Sequence, residues 1–406
     1  MLARINRRAL LATALTGALI AVTPAWSADT FKVGAINPYS GATALYGTEV
    51  TRGYELAADA LNAKGGLLGK QIEIIRGNAT TPQEGIAAIE QLAGRDNVDV
   101  FIGTYLSAVS QAASEAALNY NKLYWDTNAL AANLTERGLL NFVRSGPYSA
   151  SFAARSVSFI TDLVAGQLGK KPSELKVWIE HEDSIYGTSI AKQQEDELKK
   201  AGVQVVGVGA HSYKSIDLTD SVLRAKNAQP DVWLETGYVP DGNLLLRTAR
   251  DQGFKPAAVF VGTGDTNETL EAMGKDGVEG LYVVSYPRPD ISEKFGPGSS
   301  AYLAAYKAKY KQEPVAPQSM AAYVGFQMMA EAVAAAGSAD PAAVKAVLPK
   351  FDKPESSYAT GFGVKYDEKA QNTRAFPTVI QWQSGKQVTI YPVAAAGDHK
   401  PVMPGK

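Results

Sequence analysis

Apolar residues recur along this chain in short runs set between longer amphipathic stretches. Runs rich in β-forming residues lie at 32–36, 71–75, 98–102 and 123–125, and helical spacing dominates at 47–64, 82–94 and 108–120. In "YELAADALNAKGG" the apolar positions fall at helical spacing, and Gly65-Gly66 stops the helix. The rhythm then restarts, with strands predicted at 175–179, 203–208, 232–234 and 259–262 and helices at 186–201, 218–227 and 240–253. Strand and helix in alternation predict parallel sheets covered by helices on both faces, and two such series predict two α/β lobes. Ligands in such folds bind beyond the carboxyl ends of the strands, and between lobes that face each other. A third series breaks the order. It reads as a strand at 281–285, helices at 299–311, 317–336 and 341–350, then short strands at 363–366, 378–382 and 387–391. The polar tail "GDHKPVMPGK" is expected to be loose.

The first 28 residues do not follow this rhythm. They carry Arg4, Arg7 and Arg8, an apolar run from Ala9 to Val22, and an end of small residues. That is the layout of a secretory signal peptide, and the run is shorter than the ~20 residues a membrane span needs. Cleavage after Ala25 and after Ala28 both fit. Removing 28 residues from 406 leaves 378, enough for two domains with a substantial core. Taking the three signal arginines from the 40 basic residues leaves 37 against 41 acidic ones, a net of −4. This charge favours neither nucleic acid nor an anionic membrane surface. The chain has no cysteine, which excludes disulfides, thiolate chemistry and a lipid anchor on cysteine.

Candidate chemistry is sparse. "GGLLGKQ" lacks the spacing and the hydroxyl residue of a phosphate loop, and it precedes a strand where such a loop follows one. His181-Glu182-Asp183 are consecutive, so their side chains diverge, and zinc-type spacing is absent. No G-x-S-x-G elbow occurs. The expectation is therefore no enzyme, no metal and no cofactor. What does recur is a type of loop. The stretch "FKVGAINPYSGATALYG" runs from a strand through small residues into a helix, with no cation in the loop. Five more loops share its position: "GTYLSAVSQ" with Ser107, "DTNALAANL" with Asn128 and Leu130, "HEDSIYGTS" with Tyr186, "ETGYVPDG" with Tyr238, and "GTGDTNET" with Asp265. Capping chemistry would explain one such loop. At several equivalent strand ends they predict a common ligand site. Helix N-termini and backbone donors suit a small carboxylate without a cation.

The stretches "GATALYGTEVTRGYELAADALNAKGGLLGKQIEII", "VFIGTYLSAVSQAAS", "NLTERG", "IYGTSIAKQQEDELKKAG", "GYVPDGNLLLRTARDQGF" and "GFGVKYDEKAQ", in this order, carry a resemblance over nearly the whole mature chain. It resembles the periplasmic substrate-binding proteins of branched-chain amino acid ABC importers, the leucine/isoleucine/valine-binding type. The resemblance implies a two-lobed α/β clamp, each lobe a parallel-sheet sandwich, joined by three crossings near Gly146, Glu279 and Tyr358. Lobe one would comprise 29–146 and 280–357, lobe two 147–279 and 358–392, with 393–406 a loose tail. By the same resemblance Ser107 would bind a carboxylate, Tyr46 would supply an aromatic contact, and Tyr186 and Tyr238 would close from the second lobe. Asn128 and Leu130 would belong to the same site. The pattern departs from the family at three places. Leu130 stands where a threonine is usual, and Gly264 stands where an acid pairs with the ammonium, with Asp265 beside it. Thr80 and Leu106 replace a disulfide. The implied protein is a monomeric periplasmic carrier that delivers a small carboxylate, such as an apolar amino acid, to an inner-membrane ABC permease. An aromatic or aliphatic carboxylate lacking an amine is the alternative if Asp265 does not supply the charge. A sensor for a membrane receptor remains open, because it would use the same clamp.

Overall fold

A computed structural model describes residues 29–402, so the expected signal peptide and the last four residues lie outside the described residues. Among the described residues, no helix is long and apolar enough to cross a membrane.

The first sheet contains β1 (Phe31–Asn37), β2 (Ile72–Asn78), β3 (Val100–Gly103), β4 (Leu123–Asp126) and β5 (Phe142–Arg144), in the order β2-β1-β3-β4-β5. Every pairing in it is parallel. The central strands "VFIG" and "LYWD" are buried throughout, which is why they read as unbroken apolar runs rather than alternating ones. At three residues, β5 is too short to show a period, and neither it nor the helix Ser149–Phe159 was expected. Helix Ala44–Asn62 packs on the distant helix Gln318–Ala336, so the third series completes this lobe. Their approach is close: a Cβ on Gly53 would stand 2.1 Å from the Ser319 carbonyl oxygen.

The second sheet contains β6 (Lys176–Glu182), β7 (Gln204–His211), β8 (Val232–Thr236), β9 (Ala257–Val261) and β10 (Tyr282–Ser285). After a small ribbon of β11 (Asp352–Lys353) and β12 (Val364–Lys365), β13 (Thr378–Gln383) and β14 (Lys386–Tyr391) close one edge. The order is β14-β13-β10-β9-β8-β6-β7. Strands β6 to β10 are parallel, but β13 and β14 run antiparallel. The cause is local. Ser384 and Gly385 both take positive φ, 53° and 75°, in a two-residue turn that makes β13–β14 a hairpin. Two expected boundaries also shift. Tyr282–Ser285 is bonded into the second sheet, so a crossing at residue 279 falls one strand too early. The tail is not loose as far as Val402. Its N–H donates to buried Gln381 Oε1 at 2.9 Å, its carbonyl accepts from Tyr282 at 3.1 Å, and residues 393–396 form a helical turn.

Each sheet has one place where successive connections leave in opposite directions. In the first it lies between β1 and β3, in the second between β6 and β8. The crevices beyond these strand ends are where open α/β sheets bind ligands. The two lobes bring those ends together. Tyr46 of the first lobe meets Asp265 of the second, Tyr105 meets Tyr238, and Tyr286 after β10 meets the Asn128 carbonyl.

Candidate functional site

Between the two sets of loops lies a small, tightly closed chamber. Tyr105, Asn128 and Leu130 line it from the first lobe, and Tyr186, Tyr238 and Gly262 from the second. Phe152, Ser285, Tyr286 and Gln318 complete the wall. Tyr105 follows β3, and its ring stacks on Tyr46 with centroids 4.4 Å apart and planes 3° apart. Tyr238 follows β8 and packs on Tyr186 at 5.2 Å, on Tyr213 at 5.4 Å and on Tyr105 at 6.1 Å. Tyr186 anchors its hydroxyl on the Val261 carbonyl at 3.3 Å. Burial holds the phenols of Tyr105, Tyr186, Tyr238 and Tyr286 well above their ordinary pKa. They therefore remain neutral hydroxyls, able to donate to an anion. Among the described residues, no cationic side chain lines the chamber.

One carboxylate stands immediately behind the wall. Asp265 is fully buried. Its Oδ1 accepts from Tyr46 at 2.6 Å, and its Oδ2 accepts from Ser285 Oγ at 2.6 Å and Gln318 Nε2 at 2.9 Å. Burial raises its pKa, while those three donors and Arg288 pull it down, and the net shift is upward. Gly264 has φ +91°, and a Cβ there would lie 2.8 Å from Val283 Cγ2. A side chain at 264 is thus blocked, and the acid occupies the next position. Asp265 does not cap the following helix Asn267–Val278, whose N-cap is Thr266.

The loop after β4 is shaped from two sides. Ser107 Oγ, in the first turn of helix Ser107–Leu118, accepts from the N–H groups of Leu130 at 3.1 Å and Ala131 at 3.2 Å. From behind, Arg144 Nη1 donates to the carbonyls of Ala129 at 3.1 Å and Ala131 at 2.7 Å. Asp126 at the end of β4 accepts from Ala129 N–H at 2.9 Å and from the Ser110 hydroxyl. Burial lifts the Asp126 carboxyl to about 7 and lowers the Arg144 guanidinium to about 10.

The family model described as "Periplasmic binding protein" matches residues 30–387. The Leu/Ile/Val-binding protein homolog 7 of Brucella suis biovar 1 is 38% identical over 390 residues, covering 95% of this chain and 97% of the relative. This chain belongs to the Leu/Ile/Val-type periplasmic binding proteins. Solved structures share the fold. A branched-chain amino acid transporter substrate binding protein of Streptococcus pneumoniae, in complex with isoleucine, superposes with a TM-score of 0.74 at 22% identity, covering 90% of this chain and 100% of that one. A solute binding protein of an ABC transporter from Rhodopseudomonas palustris HaA2, in complex with p-hydroxybenzoic acid, gives 0.74 at 19% identity, covering 89% and 95%.

Within this periplasmic binding protein the expected site residues separate into two layers. Asn128, Leu130, Tyr186 and Tyr238 line the chamber, while Tyr46, Ser107 and Asp265 stand one layer back and hold its wall. Gly41, in the loop after β1, lines an outer groove with Thr80 and Leu106. Its φ of +74° is what requires glycine there, since a Cβ would meet nothing within 4 Å. Ser285 and Tyr286 were missed, although they stand at the end of β10 as the other site residues stand at or beyond the ends of their strands. Phe152 and Gln318 lie in helices that carry no motif, and only packing brings them to the wall.

Proposed function

We propose that this protein captures a small apolar amino acid in the periplasm and delivers it to an inner-membrane ABC permease, without catalysing a reaction. One observation carries the reading: Asp265, a buried carboxylate, is bonded to two residues that line the chamber, Ser285 and Gln318. It stands where a solute ammonium needs a counter-charge. The neutral Tyr105 and Tyr238 phenols and the second N–H of the Asn128 and Gln318 amides supply donors for the solute carboxylate. The aromatic rings with Leu130 and Phe152 supply an apolar surface for its side chain. Tyr46, Ser107 and Asp265 act as the supporting layer of this site. The isoleucine held by the Streptococcus pneumoniae protein is in keeping with this reading.

A second reading has its own support. Asp265 already accepts three hydrogen bonds, which satisfy its carboxylate without an ammonium. Four tyrosines around the chamber suit a flat carboxylate, such as the p-hydroxybenzoic acid held by the Rhodopseudomonas palustris protein. Calorimetry with leucine, phenylalanine and 4-hydroxybenzoate decides between them. On the amino-acid reading the wild type binds leucine or phenylalanine, and Asp265→Asn loses roughly 3–5 kcal/mol of that affinity because a buried ammonium is left unpaired. A wild type that binds 4-hydroxybenzoate and neither amino acid overturns it.

A further inference from the structure

The second lobe holds a cluster of ionisable groups that the solute site does not use. Glu180 on β6 and Glu235 on β8 are paired neighbours in the sheet, His211 ends β7, and Asp241 lies in the first turn of helix Val239–Asp251. All four side chains are buried. His211 Nε2 lies 3.0 Å from Asp241 Oδ2, and His211 Nδ1 lies 3.1 Å from Glu180 Oε1. Glu180 is held in turn by Trp178 Nε1, which donates to its Oε2 at 3.0 Å. Glu235 differs from the rest: it is fully buried, and neither of its carboxylate oxygens has a hydrogen-bond partner. One donor atom each from His211, Glu235 and Asp241 lie within 4.8 Å of one another. A Cβ on Gly237 would stand 2.3 Å from Glu235 Oε1 and 2.4 Å from Asp241 Oδ2, so the backbone beside the two carboxylates is bare. The nearby Glu182 is satisfied by Ser184 and the Gly187 N–H and takes no part.

We propose that His211, Glu235 and Asp241 form a binding site for a divalent cation of the zinc class, with Glu180 as the residue that orients the histidine. A buried carboxylate with no hydrogen-bond donor from the protein is costly unless a cation faces it. One imidazole and two carboxylates are a ligand set that Zn²⁺ accepts, with a fourth position left for water. Ligation through Nε2 places the imidazole proton on Nδ1, directed at Glu180, which is the usual outer partner of a zinc-bound histidine. His211 and Asp241 already touch, and the Glu235 carboxylate would turn towards them to complete the ligand set. Asp241 also accepts from the Tyr238 N–H at 3.1 Å, so the cation would fix the turn that carries Tyr238. The inference does not depend on which solute the chamber takes.

The test uses the full chain, stripped with chelator and dialysed against zinc chloride, with metal content read by mass spectrometry. The wild type is expected to retain one zinc per chain and to melt at a higher temperature with zinc than without. Glu235→Gln, which keeps the shape and removes the charge, is expected to lose affinity about tenfold or more, and Glu180→Gln about 10–100-fold as an outer partner. Cobalt(II) provides a readout apart from stability: a visible d–d spectrum in the wild type that is absent in Glu235→Gln. The proposal is overturned if wild type and Glu235→Gln retain equal zinc. It is equally overturned if the wild type retains none and Glu235→Gln simply melts higher, since Glu235 is then a buried neutral acid.

Discussion

Asp126 illustrates what burial does to a single carboxyl group at the end of a strand. In the fold it stays protonated up to about pH 7, whereas in the unfolded chain it ionises near pH 4. Between those values the unfolded chain has released a proton that the folded one retains. Stability attributable to this group therefore falls as pH rises from about 4 to about 7. Asp126→Asn removes the titration while keeping an acceptor for the Ala129 N–H. Urea midpoints of wild type and variant should diverge steadily between pH 4.5 and 7.5, with the wild type losing on the order of a few kcal/mol relative to the variant. A constant difference across that range would show that Asp126 does not titrate there. Ser107 makes a related point without charge. Its hydroxyl accepts two backbone N–H groups of the loop after β4, so the residue shapes the chamber wall through Leu130 and Ala131.

Among the elements, the pair formed by helices Ala44–Asn62 and Gln318–Ala336 has the least tolerance. Residues from opposite ends of the chain meet there, and Gly53 lets the backbones approach. Gly53→Ala inserts a methyl group 2.1 Å from a carbonyl oxygen that has no rotamer to escape into. Overpacking of this kind costs about 1–3 kcal/mol. Urea unfolding of Gly53→Ala should show a lower midpoint with an unchanged slope. An unchanged midpoint would mean that the two helices do not cross as closely as described.

Across the whole molecule, closure rests on contacts between lobes, among them the 2.6 Å bond from Tyr46 to Asp265. A solute that touches both lobes shifts the population towards the closed form. Tyr46→Phe keeps the ring stacked on Tyr105 and deletes only the bond to the carboxylate. A hydrogen bond to a charged group contributes about 1.5–3 kcal/mol, so the closed population should fall by roughly ten- to a hundredfold. Small-angle scattering should give a larger radius for solute-free Tyr46→Phe than for the wild type. Apparent solute affinity should drop by a similar factor, because only the closed fraction binds tightly. Equal radii and equal affinities would remove this contact from the closing mechanism.

The alternation of apolar runs and amphipathic stretches was enough to determine two α/β lobes and the positions of most strands and helices, because parallel strands buried on both faces leave a strong signal. The rule that ligands lie beyond strand ends was enough to single out the loops carrying Asn128, Leu130, Tyr186 and Tyr238. The antiparallel docking of β13 on β10, the bonding of β10 into the second sheet and the pinning of Val402 to Gln381 were decided by pairing between distant segments, which has no local period. Tertiary structure alone also decided which residues line the chamber and which stand behind it. Tyr46 and Ser107 were legible as site residues from their loops, but their hydroxyls are turned to Asp265 and to the loop after β4. Phe152 and Gln318 reach the wall only through packing. The same holds for His211, Glu235 and Asp241, whose spacing in the chain resembles no metal motif and which meet only because β7 and β8 end on either side of β6 and the helix after β8 begins there. Strand and helix character is set by neighbours three or four residues away, whereas a site is set by side chains whose separation in sequence carries no information about their distance in space.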